Sequence, residues 1–96
     1  MRNNVLNCIA IDDDPSFLKL IREYCSKIPS VNLTATFTNP QEAVQVLNNN
    51  QTDLIFLDVV MPQFTGPEFL KTLYNPPMVI FISAFREYAS EGFDAD

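Results

Sequence analysis

The chain contains no histidine. That absence removes histidine-based acid–base catalysis, imidazole metal ligands and a phosphohistidine of its own. Basic side chains are scarce: 6 Lys and Arg stand against 12 Asp and Glu, for a formal charge of −6. Phosphate backbones are bound by clustered Lys and Arg, so the balance argues against a direct nucleic-acid surface and suits a site that attracts a cation. Cysteine occurs only at Cys8 and Cys25. Both lie in apolar patterns and read as small core hydrophobes of a reduced, cytoplasmic protein, not as a disulfide framework. No apolar run approaches the length that crosses a bilayer, so no membrane partner is expected. Met1-Arg2-Asn3-Asn4 lacks the regions of a signal peptide. What remains is 96 residues, 47% of them hydrophobic, which bounds the chain to one small globular domain over 1–96 with a modest core.

Apolar runs alternate with helical patterns. Val5 to Ile11 reads as a strand, and Pro15 to Ile28 as a helix with Phe17, Leu18, Ile21, Tyr24, Cys25 and Ile28 recurring at three and four. Asp14 is placed to cap that helix, Pro15 suits its first turn, and Pro29 ends it. Val31 to Phe37 alternates apolar and polar residues as a second strand. Asn39-Pro40-Gln41-Glu42 starts a helix that carries Ala43, Val46 and Leu47 inward. Asp53 to Leu57 is a third strand, and Met61 to Gly66 a loop. Thr65-Gly66-Pro67-Glu68 begins a third helix with Phe69, Leu70 and Leu73 inward, broken at Asn75-Pro76-Pro77. Met78 to Ser83 is a fourth strand, and Arg86 to Phe93 the start of a fourth helix. The order β-α-β-α-β-α-β-(α) predicts an α/β fold: a parallel sheet with right-handed crossovers and helices on both faces.

Three of the strand patterns stop at polar oxygens. The first ends in Asp12, Asp13 and Asp14, the third in Asp58, and the fourth in the hydroxyl of Ser83. Open α/β sheets bind ligands beyond the carboxyl ends of their strands. If the first and third strands are neighbours, Asp12, Asp13 and Asp58 meet there, and two like charges ~4 Å apart repel by about 4 kcal/mol at an effective dielectric near 20. Such a cluster needs a raised pKa or a divalent cation, and an oxygen-only donor set suits Mg2+. Asp58 is then the best placed nucleophile, because carboxylates form aspartyl phosphates. Asp14 reads as a helix cap only. A haloacid-dehalogenase-type phosphohydrolase requires a second Asp two positions after its nucleophile, where this chain has Val60. An EF-hand loop does not match Asp12-Asp13-Asp14-Pro15-Ser16-Phe17.

Ile9-Ala10-Ile11-Asp12-Asp13-Asp14-Pro15, Asp53 to Pro62 with Gly66 following, and Val79-Ile80-Phe81-Ile82-Ser83-Ala84 together resemble the receiver domain of two-component response regulators. The stretch from Ala84 to Phe93 resembles more particularly the LytTR (LytR/AlgR) branch. The resemblance implies a flavodoxin-like, CheY-like doubly wound sheet in strand order 2-1-3-4. The usual fifth strand and last helix lie beyond the end of the chain at Asp96. It also implies roles residue by residue. Asp58 matches the phosphoacceptor. Asp13, Asp58 and the backbone carbonyl of Val60 match the ligands of Mg2+ (or Mn2+), with Asp12 in support. Ser83 matches the switch hydroxyl, and the Ala84 amide a second phosphoryl contact. Met61, Pro62 and Gly66 match the loop that shapes the site.

The implied function is that of a signalling switch, not an enzyme. A sensor histidine kinase donates a phosphoryl group to Asp58, and the change alters contacts with a partner or effector domain. The alternative is a receiver-like interaction module that is never phosphorylated. The LytTR resemblance would add a C-terminal DNA-binding domain, which this chain does not contain. Two departures stand out. Receivers carry a lysine at the end of the fifth strand, and Lys19, Lys27 and Lys71 all fall in helical patterns instead. Val60, being apolar, cannot orient an attacking water, so slow dephosphorylation is expected. If Asp96 ends the polypeptide, the fourth strand becomes an apolar edge, and a homodimer or strand-swapped oligomer is expected.

Overall fold

The computed structural model describes residues 5–59, 61 and 65–82. They form four parallel strands, β1 (Leu6–Ile11), β2 (Val31–Phe37), β3 (Leu54–Asp58) and β4 (Met78–Ile82), in the order β2-β1-β3-β4. Three helices connect them: α1 (Pro15–Cys25), α2 (Pro40–Asn48) and α3 (Gly66–Leu70). The expected start of a fourth helix at Arg86 lies outside the described residues.

The central strands β1 and β3 are covered on both faces, which is why they read as continuous apolar runs. Alternation along β1 divides them between two layers. Ile9 and Ile11 enter a core with Ala43 and Leu47 of α2, Ile55 and Leu57 of β3, Met61, Phe69 of α3 and Leu73. Ala10 points the other way, to Leu18, Ile21 and Cys25 of α1. Main-chain and side-chain bonds at the opposite edge set the register. Asn7 N–H donates to Asp53 Oδ2 at 2.8 Å. Asp53 N–H donates to the Asn7 carbonyl at 2.7 Å, and Met78 N–H to the Asp53 carbonyl at 3.2 Å.

The helix starts follow local rules. Asp14 accepts the Ser16 N–H, and Asn39 accepts the Gln41 N–H, each with proline in the first turn. Thr65 and Glu68 form a reciprocal capping box at α3. Helix α2 ends at Asn48, and two residues on Asn50, with φ of 59°, takes the left-handed conformation that stops a helix and that Asn tolerates.

Three expectations are corrected. Helix α1 stops at Cys25, three residues short of Ile28, and the chain continues in turns in which Ile28 N–H donates to the Cys25 carbonyl. Its buried line is Leu18, Ile21 and Cys25, while Tyr24 and Ile28 are exposed together with Leu20 on the outer side. Tyr24 lies off the apolar stripe of Leu18, Ile21 and Cys25, and Ile28 lies beyond the end of the helix. Helix α3 is only five residues long and passes into tighter turns before Leu73. Finally, the alternation of β2 is interrupted. The register jumps from Cys8↔Leu33 to Ile9↔Ala35, so Thr34 is an extra residue. Val31 and Leu33 therefore pack with the α1 layer, and Ala35 and Phe37 with the α2–α3 layer. The Thr34 hydroxyl donates to the Cys8 carbonyl at 3.1 Å.

Candidate functional site

The pairing of β1 with β3 runs from Cys8↔Leu54 to Ile11↔Leu57. One residue further on both strands brings Asp12 beside Asp58. Asp12, Asp13 and Asp58 each offer a carboxylate oxygen, and these oxygens lie within 4.8 Å of one another. Asp12 is fully buried and Asp58 is buried, whereas Asp13 is exposed and opens the cluster to solvent. The expected meeting of the three strand-end carboxylates is therefore present in the fold.

Asp12 carries an electrostatic cost. Its Oδ1 accepts the Asp14 N–H at 2.9 Å, while its buried Oδ2 has no hydrogen-bond partner among the described residues. Burial pushes its pKa up from 3.8 to about 6, and the charges of Asp58, Asp13 and Asp14 add to the rise against the Asp14 N–H bond, which lowers it. An unpartnered carboxylate oxygen facing two further carboxylates is the donor set that hard divalent cations take. Asp14 is the expected helix cap, but its N–H also holds Asp12. An Asp followed two residues later by a free N–H is an Asx-turn signal, and that pattern could have revealed this second role.

The segment after Asp58 is tied to both of its neighbours. Val59 N–H donates to the Ile82 carbonyl at 3.1 Å, and the Val59 carbonyl accepts the Gly66 N–H at 2.7 Å. Met61 is buried in the core beneath the site. Val60, Pro62, Ser83 and Ala84 lie outside the described residues, as does the stretch 84–93 that carries the LytTR resemblance. Lys19, Lys27 and Lys71 are exposed on or beside helices, as their patterns suggested.

Comparison with known proteins agrees with this arrangement. The sequence model of the response regulator receiver domain family matches residues 8–96. An uncharacterized response regulatory protein of Vibrio cholerae is 32% identical, over 98% of this chain and 38% of its own length. The chain spans 38–39% of the length of the first curated relatives it matches. Among solved structures, the signal receiver domain of NarL from Mycobacterium tuberculosis is 26% identical with a TM-score of 0.74, covering 91% of this chain and 73% of that one. A chain in the crystal structure of the P1 domain of CheA3 in complex with CheY6 from R. sphaeroides is 25% identical with a TM-score of 0.72, covering 96% of this chain and 77% of that one.

Proposed function

Because the chain belongs to the response regulator receiver domain family, we propose that it is a phosphorylation-dependent switch in which Asp58 takes the phosphoryl group. The observation that carries this reading is the convergence of Asp12, Asp13 and Asp58 at the carboxyl edge of the sheet. The ionised Asp58 carboxylate attacks phosphorus and forms an O–P bond. The bond from phosphorus to the donor's nitrogen or oxygen breaks, and the leaving group departs with the electron pair. An ionised carboxylate needs no general base to attack, so the lack of histidine is no obstacle.

Asp13, Asp58 and the Val60 carbonyl are the residues to hold Mg2+ (or Mn2+), with Asp12 in support. The unpartnered Oδ2 of Asp12 and the solvent-open Asp13 fit that cation. When bound, it supplies positive charge against the carboxylates and the phosphoryl oxygens. The Ser83 hydroxyl and the Ala84 amide are assigned to the phosphoryl group. Support comes from Ile82, the residue before Ser83, which is hydrogen-bonded to Val59 beside Asp58. Met61, Pro62 and Gly66 shape the loop between them.

The phosphoryl donor is a histidine kinase or a phosphotransfer domain, by analogy with the related chain whose crystal structure holds a P1 domain. The output is a change of contacts with an effector domain. The greater length of the relatives leaves room for such a domain, including one that binds DNA. The test is incubation of the complete protein with Mg2+ and acetyl phosphate, followed by intact-mass measurement. A phosphoryl adduct that is absent from Asp58→Asn supports the switch. No adduct on the unmodified protein points instead to a contact module.

A further inference from the structure

Gly66 opens α3 directly against the main chain of Asp58. A Cβ placed on Gly66 would lie 2.6 Å from the Asp58 carbonyl oxygen, 3.2 Å from Phe81 Cε1 and 3.3 Å from Leu57 Cγ. The first contact is shorter than Cβ atoms tolerate, and its partner is backbone, which cannot swing aside as a side-chain tip can. Gly66 has no positive φ, so the requirement is for space rather than for a left-handed conformation. A second, independent set of bonds acts on the same segment. Gly66 N–H donates to the Val59 carbonyl, and Val59 N–H donates to the Ile82 carbonyl at the end of β4. The Thr65–Glu68 capping box fixes where the helix begins, so Gly66 cannot slide away from these contacts without breaking it.

We propose that Gly66 is a positioning residue for phosphoryl uptake. Its missing side chain lets α3 seat against the Asp58 carbonyl. That seat fixes the β3 end between α3 and β4 and aims the Asp58 carboxylate at Asp12 and Asp13. The inference rests on Asp58 as the phosphoacceptor. It adds that the reach of Asp58 is set from the α3 side by backbone contact, and that Asp58 and Val59 join α3 to the strand preceding Ser83.

The test compares Gly66→Ala with Leu47→Ala in the complete protein. Leu47 belongs to the same core but lies on α2 and is not among the contacts a Cβ on Gly66 would meet. Two quantities are read at equal folded fraction: the rate of phosphoryl uptake from acetyl phosphate at saturating Mg2+, and amide hydrogen exchange at residues 59 and 66. Gly66→Ala is expected to slow uptake roughly tenfold to a hundredfold, as a misplacement of about 1 Å does, with faster exchange confined to those two amides. Leu47→Ala is expected to exchange faster throughout and to take up phosphoryl normally per folded molecule. Uptake by Gly66→Ala equal to the unmodified protein, or equal slowing by Leu47→Ala, overturns the proposal. If Gly66→Ala does not fold, Thr65→Ala, which loosens the capping box that holds Gly66 against Asp58, is read in the same way, and unchanged uptake with faster exchange at residue 66 overturns the proposal. If the unmodified protein takes up no phosphoryl group, the phosphoacceptor reading falls. Selective exchange loss at residues 59 and 66 then supports only the backbone seat of α3 on Asp58 and not a role in phosphoryl uptake, and unchanged protection overturns the seat as well.

Discussion

Asp12 and Asp58 end neighbouring parallel strands side by side, both buried, and with Asp13 they hold carboxylate oxygens within 4.8 Å of one another. Nothing in the packing of β1 and β3 requires acids there. An apolar residue in place of Asp12 would continue β1 at lower cost, since the buried Oδ2 of Asp12 has no hydrogen-bond partner among the described residues. Asp12 is thus a costly residue in a small core, and its energetics are open to direct measurement.

The first expectation concerns pH. Asp12 titrates near pH 6 in the folded chain, against 3.8 ordinarily. Between these values the folded state holds the proton more tightly than the unfolded one, so the stabilisation from protonated Asp12 is complete below about pH 4. It is lost as pH rises through about 6, a change of roughly 1–3 kcal/mol. Urea midpoints of the metal-free protein at pH 4.5 and pH 7 test the sign, and Asp12→Asn is expected to flatten the difference.

Added Mg2+ should act in the opposite direction. A cation that binds only the folded cluster stabilises by mass action, about 2.7 kcal/mol at a concentration 100 times its dissociation constant. Thermal melts at pH 7 with and without Mg2+ are expected to show the increase in the unmodified protein and not in Asp13→Asn or Asp58→Asn. An equal increase in all three would place the cation elsewhere.

The strand ends that build this cluster were legible because each apolar run stops abruptly at a carboxylate, and parallel strands covered on both faces leave little ambiguity. Asp14 and Thr65 were readable as helix starts for a similar reason: short side chains beside proline have few other uses. The extra residue at Thr34 was not legible, since Val31, Leu33, Ala35 and Phe37 keep perfect alternation while the pairing with β1 slips by one. Tyr24 and Ile28 misled because their spacing fits a buried face that Leu18, Ile21 and Cys25 already occupy. The close approach of Gly66 to Asp58 depends on where α3 docks, and no local pattern reports it.

The capping box of α3 yields a local prediction. Thr65→Ala removes the acceptor for Glu68 N–H and should cost about 1 kcal/mol. Because α3 is five residues long, that loss should also speed amide exchange at Gly66. Equilibrium unfolding and exchange of the variant check both effects.

Val60 sets the lifetime of the phosphorylated state in the proposed switch. Its apolar side chain offers an attacking water no hydrogen bond, so Val60→Asn is expected to release phosphate faster. Phosphate-release rates of the two phosphorylated proteins measure it, and equal rates would remove Val60 from the account.

In the proposed switch, Asp58 accepts a phosphoryl group with the help of a cation held beside it. Intact-mass measurement after incubation of the complete protein with acetyl phosphate tests it most directly. One adduct is expected that requires Mg2+ and disappears in Asp58→Asn. An adduct that persists in Asp58→Asn, or forms equally well in excess chelator, would contradict it.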